Sequence, residues 1–177
     1  MKQLIFLCGP NGIGKTSIAK ALVADLQGTA YVDTDPLRYM NPFILNDETI
    51  PTIASNISDV IKNYLACPLV DRVVFTYGFH GRRRQVFDQV LANLNWIDYS
   101  FHPFHLTCNQ EENVRRMLAD GRDQARIDRA IKYSRPAYVD LTYDTLDISD
   151  LSLTGAKDRL LELISGLGQG QVKENVE

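Results

Sequence analysis

Five short apolar runs recur along the chain: "QLIFLCG" from residue 3, "TAYVD" from 29, "DRVVFTY" from 71, "YSFHPFHLTC" from 99 and "DTLDIS" from 144. Each is followed by a segment with helical spacing or a helix start, an alternation that predicts βαβ units and a parallel sheet. The first, third and fourth runs are almost continuously apolar, which suits strands covered on both faces by helices. After the first run, Ile18, Ala19, Leu22, Val23 and Leu26 follow helical spacing until Gly28 stops the pattern. Further helices are expected over 47–67, 82–95, 110–121 and 154–168. The segment from 110 opens with two glutamates where the helix dipole favours acids, and it ends in a glycine. The polar tail 169–177 is expected to be disordered.

With 177 residues, 45% of them hydrophobic, the chain has the size of one domain with a full core, assigned here to 1–168. A net charge of -3 gives no general attraction to phosphate backbones or anionic membranes, so nucleic acid is not an expected partner. Cys8, Cys67 and Cys108 are odd in number, scattered and in no metal-ligand spacing, which reads as reduced, buried thiols in a cytoplasmic protein. The first apolar run is too short to span a bilayer or to serve as a signal peptide.

Residues 9–16, "GPNGIGKT", fit G-x-x-x-x-G-K-[ST] and lie between a predicted strand and a predicted helix, the context that pattern requires. Gly9, Gly12 and Gly14 let successive N–H groups face one anion, and the following helix aims its positive end at the same point. Lys15 supplies a point charge to the outer phosphates and the Thr16 hydroxyl a ligand for Mg²⁺. The expected nucleotide site is therefore Gly9, Pro10, Asn11, Gly12, Ile13, Gly14, Lys15, Thr16 and Ser17, with ATP and Mg²⁺ as the cofactors. This is the Walker A motif of P-loop NTPases.

Other motifs narrow the class. A GTPase should carry N-K-x-D, but the segment after the fourth strand, "TCNQEE", lacks the lysine and the aspartate. A motor ATPase should end its third strand in acids, whereas this strand runs "VVFTYGFHG". Carboxylates stand instead at "YVDTDPLRYM", where Asp33 and Asp35 follow the second strand at the ligand-binding edge of such a sheet. This D-x-D, with a Ser/Thr near the end of the third strand, resembles the shikimate and gluconate kinase branch of the nucleoside-monophosphate-kinase-like superfamily. "RAIKY", Arg129 to Tyr133, is similar to the R-L-x-x-Y of the arginine-bearing lid in that superfamily, with Ala130 in place of leucine. Spacing and lid style are also similar to tunicamycin-resistance and chloramphenicol-phosphotransferase-like members.

The resemblance implies a three-layer α/β sandwich with a five-stranded parallel sheet of order 2-3-1-4-5, helices on both faces and a short lid near 119–135. It further implies Asp33 near the metal, Asp35 as the acceptor-side carboxylate, and a loop after the fifth strand that touches adenine. Arg122 and Arg129 frame the lid and are expected to meet a phosphoryl group in flight, while Arg126 can stack on adenine. Shikimate is a doubtful acceptor, because only Gly78 and Gly81 stand where those kinases place three glycines.

Arg82, Arg83 and Arg84 crowd positive charge at a helix start that is already positive, so an anionic acceptor is expected to meet one or two of them, Arg82 first. Tyr77 can wall an acceptor ring and Arg38 can contact the acceptor; His80 is given no catalytic role. The expected activity is transfer of the ATP γ-phosphoryl group to a small acceptor, most simply a hydroxyl, by a monomer or homodimer. A nucleoside monophosphate kinase and a nucleotide-dependent binding protein or slow hydrolase are the alternatives.

Overall fold

The computed structural model describes residues 1–167; the tail expected over 169–177 lies outside the described residues. Five strands form: β1 (Lys2–Cys8), β2 (Thr29–Asp33), β3 (Arg72–Thr76), β4 (Tyr99–Thr107) and β5 (Asp144–Asp147). All pairings are parallel and the order is β2-β3-β1-β4-β5, with Ile5 of β1 in register with Val74 on one side and His102 on the other. Both the order and the parallel sense match the expectation. Because every strand runs the same way, the segments after all five strands emerge at one edge of the sheet, where ligands of open α/β folds bind.

The central strand shows why its sequence is apolar throughout. Successive side chains of a strand point to opposite faces. Leu4, Phe6 and Cys8 join one core with α2 (Thr49–Ala66) and α3 (Arg83–Leu94), whereas Ile5 and Leu7 join another with α1 (Lys15–Asp25) and α6 (Leu153–Gly166). On α2, Ile50, Ile53, Ala54, Ile57, Ile61 and Leu65 repeat at three- and four-residue steps and form its buried stripe. Asn46 Oδ1 accepts the N–H groups of Glu48 and Thr49 where this helix begins, and Pro51 sits in its first turn, where the missing N–H costs nothing.

The remaining elements surround the far end of the glycine loop. Asn109 caps α4 (Gln110–Ala119) by accepting the Glu112 N–H at 2.8 Å. After the turn at Gly121 come α5 (Gln124–Arg129), a single π-helical turn at Ala130–Ser134 and a 3-10 turn at Arg135–Tyr138. Met117, Ile127 and Ala130 form a small apolar cluster of their own, which holds this arginine-bearing segment against α4. Among the described residues no helix is long and apolar enough to cross a membrane.

Phe6 anchors the larger core: its ring lies 4.6 Å from that of Phe75 and 4.5 Å from that of Phe87. Replacing it with alanine leaves a cavity bounded by rings that cannot collapse into it, and should cost about 3–5 kcal/mol in urea unfolding. Leu69→Ala, at a side chain that is 84% exposed, should change stability by less than about 0.5 kcal/mol. Equal losses in the two variants would contradict this packing.

Candidate active site

The glycine loop is fixed by close approaches that only glycine permits. Gly9 has φ 145° and Gly12 φ 81°. A Cβ at Gly9 would lie 2.4 Å from the Leu106 carbonyl oxygen, and one at Gly12 would lie 2.1 Å from Met117 Cγ. The loop thus rests against the end of β4 and against α4. Lys15 Nζ reaches back to donate to the carbonyls of Gly9 (2.8 Å) and Pro10 (2.9 Å), which places its charge within the loop. Burial pushes the Lys15 ammonium down to about 8, and the nearby Arg122 and Arg83 add to the effect against the opposing influence of Cys8 and Asp35.

A network that the sequence reading did not single out holds the tip. The Asn11 N–H donates to Ser134 Oγ at 3.0 Å, and the Asn11 carbonyl accepts from Asn113 Nδ2 at 3.1 Å. Arg135 donates to Asn113 Oδ1 (3.3 Å) and to the Cys108 carbonyl (3.1 Å). Arg116 is paired with Glu112 and donates to the carbonyls of Ile13 (3.0 Å), Ile148 (2.7 Å) and Leu151 (3.2 Å). One guanidinium therefore ties the glycine loop to the segment after β5. Tyr138 closes the base: its hydroxyl accepts the Phe79 N–H at 2.9 Å, and its ring stacks on Phe79 and His105.

These elements enclose a crevice of about 840 Å³, within the size range of small-molecule sites. Asn11, Gly12, Ile13, Gly14, Lys15, Thr16 and Ser17 line it together with Asp33, Asp35, Arg38, Tyr77 and Arg122, so most of the residues expected from sequence converge. Gly9 and Pro10 meet it through their bonds to Lys15. Leu151, Ser152, Leu153, Ala156, Arg115, Arg116 and Ala119 line one end; none of these was singled out individually, although the loop after β5 was expected to contact the base. Arg115 and Arg116 resemble solvated helix arginines in sequence, and the Glu112-to-Arg116 spacing is the one signal that marks the second as fixed.

Three arginines lie elsewhere. Arg82 is turned to Asp47, with which it forms an ion pair, and to Gln85 Oε1 at 2.9 Å. Arg126 is exposed and pairs with Asp123 at 3.6 Å, the residue that caps its helix. Arg129 is exposed as well, because α5 turns Ile127 inward and the next buried position is Ala130. None of the three is among the residues lining the crevice. Arg83, between the outward-turned Arg82 and the exposed Arg84, does line it.

At the other end stand the two aspartates. Asp33 Oδ1 accepts the Asp35 N–H at 3.1 Å, which fixes the turn after β2. Arg38 holds Asp35 Oδ1 in an ion pair, although the carboxylate is 75% exposed. Tyr31 and Thr76 join hydroxyls at 3.0 Å just beneath, and Thr34 Oγ1 donates to the Thr76 carbonyl at 2.7 Å. Among the described residues no group of three or more His, Cys, Asp or Glu side chains could hold a metal alone. A magnesium ion here would depend on Thr16, Asp33 and phosphate oxygens, the usual economy of such sites.

The state of Lys15 gives a pH test on the ligand-free protein. Between about 8 and its ordinary value of 10.5, the unfolded chain keeps a proton that the folded chain has lost. The group therefore adds stability as pH rises through that window and withdraws it as pH falls through about 8. Urea unfolding should show wild type gaining on Lys15→Met from pH 7 to pH 10. A difference that stays flat over that range would contradict the buried position of the ammonium.

A family model described as AAA domain matches residues 5–136. No curated protein matches the sequence. Among solved structures, a sugar kinase from Janibacter sp. HTCC2649 is 16% identical, with 93% of this chain and 95% of that one covered at a TM-score of 0.64. The tunicamycin resistance protein of Deinococcus radiodurans is also 16% identical, with 93% and 96% covered and a TM-score of 0.64. Shikimate kinase from Acinetobacter baumannii is 17% identical, with 96% and 97% covered and a TM-score of 0.62. At these identities the structures show a shared fold, and the family match rests on the sequence itself. The chain belongs to the AAA domain family, and its five-stranded parallel sheet with a glycine loop after β1 is the fold it shares with these solved structures.

Proposed function

We propose that the protein transfers the γ-phosphoryl group of ATP to a hydroxyl of a small molecule. The observation that carries this reading is that the loop of Gly9–Thr16 and the Asp35–Arg38 pair open onto one crevice. A phosphate donor and an acceptor could therefore meet in a single cavity. The nucleotide would lie with its phosphates in the loop and its base between Arg115, Arg116 and the Leu151–Leu153 segment. Bound Mg²⁺ would supply charge neutralisation across the outer phosphates.

In the transfer, the acceptor oxygen forms a bond to Pγ while the bond from Pγ to the β–γ bridging oxygen breaks, and ADP leaves. The hydroxyl proton passes to Asp35. Arg38 occupies Oδ1 of that carboxylate, and among the described residues Oδ2 accepts no hydrogen bond, so it is the oxygen turned to this task. Lys15 and Arg122 offset the charge on the group in flight, and such positioning and electrostatics account for most phosphoryl-transfer catalysis. Arg122 is 30% exposed and tied to Asp120 at 3.1 Å, which leaves it room to swing inward. The domain unit proposed for this activity is 1–168.

Asp35→Asn should preserve ATP binding and lower acceptor-dependent ADP formation by about 10²–10⁴-fold. A variant that turns over at the wild-type rate would remove Asp35 from the chemistry. Arg122→Ala should depress turnover much more than ATP affinity, and lysine there should restore part of the rate, since a point charge cannot match the planar fork. Loss of affinity in proportion to rate would make Arg122 a ground-state binder only.

A further inference from the structure

Strand β3 ends in Thr76 rather than in an acid, so a neutral hydroxyl stands at the strand end beside the glycine loop. Thr76 is 5% exposed and lines the crevice. Its carbonyl accepts from Thr34 Oγ1 at 2.7 Å, and it lies in register with Asp33 of β2. Paired residues of neighbouring strands share a face of the sheet, as do residues two apart on one strand. Tyr31, Asp33, Val74 and Thr76 therefore stand on one face, the face on which Val74 joins the core formed with α1 and α6. Thr16, in the first turn of α1, comes to the same edge of that face and lines the crevice as well.

Tyr31 reaches this edge from below. Its register partner is Val74, two residues short of Thr76, a separation of about 6.6 Å along a strand. The phenol spans that length, and its hydroxyl meets Thr76 Oγ1 at 3.0 Å. A phenylalanine would fill the same space without the bond. Burial raises the Tyr31 hydroxyl above its ordinary value, while hydrogen bonding to Thr76 and to Thr16 opposes the rise, so the phenol oxygen is within reach of both threonines. Both threonines line the crevice and Tyr31 does not. A hydroxyl has one hydrogen and two lone pairs. For Thr16 to turn a lone pair toward a cation, its hydrogen must point elsewhere, and the Tyr31 oxygen is the acceptor at hand. The Tyr31 hydrogen then goes to Thr76 Oγ1, and Thr76 keeps its own hydrogen for an oxygen in the crevice.

We infer that Tyr31 is a positioning residue for the magnesium side of the site: its hydroxyl takes the Thr16 hydrogen and gives its own to Thr76, so that a lone pair of Thr16 and a hydrogen of Thr76 both face the crevice. This rests on the reading of the crevice as a site for a nucleotide with Mg²⁺. Three neutral hydroxyls in a fixed order thereby stand where an acid would carry a charge. Tyr31 touches neither nucleotide nor metal in this arrangement and acts through its two neighbours. Groups that orient a metal ligand in this way are generally worth about 10–100-fold in metal affinity.

The test measures binding of the ATP analogue whose β–γ bridge is nitrogen to the full chain by calorimetry, once with Mg²⁺ and once with EDTA. Tyr31→Phe should weaken binding by about tenfold or more with Mg²⁺ and by less than about twofold with EDTA, whereas a residue that only packs would lower both alike. Tyr64→Phe, on the exposed side of α2, should change neither. Thr76→Val should repeat the loss and Thr76→Ser should recover most of it. The double variant Tyr31→Phe with Thr76→Val should bind no more weakly than the weaker single one, because both break one chain of hydrogen bonds. Equal losses with Mg²⁺ and EDTA, no loss in Tyr31→Phe, or additive losses in the double variant would overturn the inference. Should Tyr31→Phe fail to fold by circular dichroism, the Thr76 variants decide, and equal affinities of the valine and serine forms would overturn it. Wild-type binding that is the same with Mg²⁺ and with EDTA would defeat the magnesium site and this inference with it. Magnesium-dependent binding that survives intact in Tyr31→Phe would defeat this inference alone. A loss confined to Mg²⁺ in that variant, with no transfer from ATP to any organic acceptor by the wild type, would defeat the phosphotransferase reading alone.

Discussion

The glycine loop is pressed between the Leu106 carbonyl of β4 and the Met117 thioether of α4, at separations that exclude a side chain at Gly9 and Gly12. This contact sets the direction of the loop's N–H groups and the point at which α1 starts. It also brings α4 close enough for Asn113 and Arg116 to bond to loop carbonyls. If either glycine carried a methyl group, the loop would have to lift from the sheet, and Lys15 and the hydrogen bonds at Asn11 would move with it. Contact at this junction therefore fixes the glycine loop and, through Asn113 and Arg116, ties it to α4.

Charge management follows from that placement. Cations predominate around a cavity whose floor already carries the positive end of a helix, and most are held by nearby carboxylates or carbonyls before any ligand arrives. Prepaired groups lose little freedom when a substrate binds, which is how preorganised electrostatic sites work. Lys15 and Arg83 stand apart in this scheme, one held by carbonyls and the other by nothing among the described residues. Their burial disfavours their charged forms and so raises the value of an incoming anion to each. Both positions line the same crevice.

The strands were legible because covered strands must be apolar on both faces. "LIFLC" and "RVVFT" can serve as little else, and their order follows from the resemblance carried by the loop motif. That Asp33 and Asp35 line the crevice was legible from their position after a strand. The arginines were not. Arg82 and Arg83 are neighbours in sequence but about 100° apart around a helix, so which one faces inward depends on where α3 begins, and that is set by packing of Val86 and Phe87. Arg126 and Arg129 looked placed for a lid, yet the inward face of α5 belongs to Ile127. Asn113 and Ser134 are polar residues without a motif, and their burial, at 0% and 1% exposure, comes from partners more than 100 residues away in the chain.

The central claim is that this crevice moves a phosphoryl group to an organic acceptor rather than to water. Its most direct test is to incubate the full chain with Mg²⁺ and ATP labelled in the γ-phosphate, in the presence of a mixture of hydroxy acids and sugar phosphates. The label is then followed by chromatography. The account predicts that most of the label enters an organic phosphate, at a rate that depends on the mixture. Label that appears only as inorganic phosphate, at the same rate with and without acceptors, would contradict it.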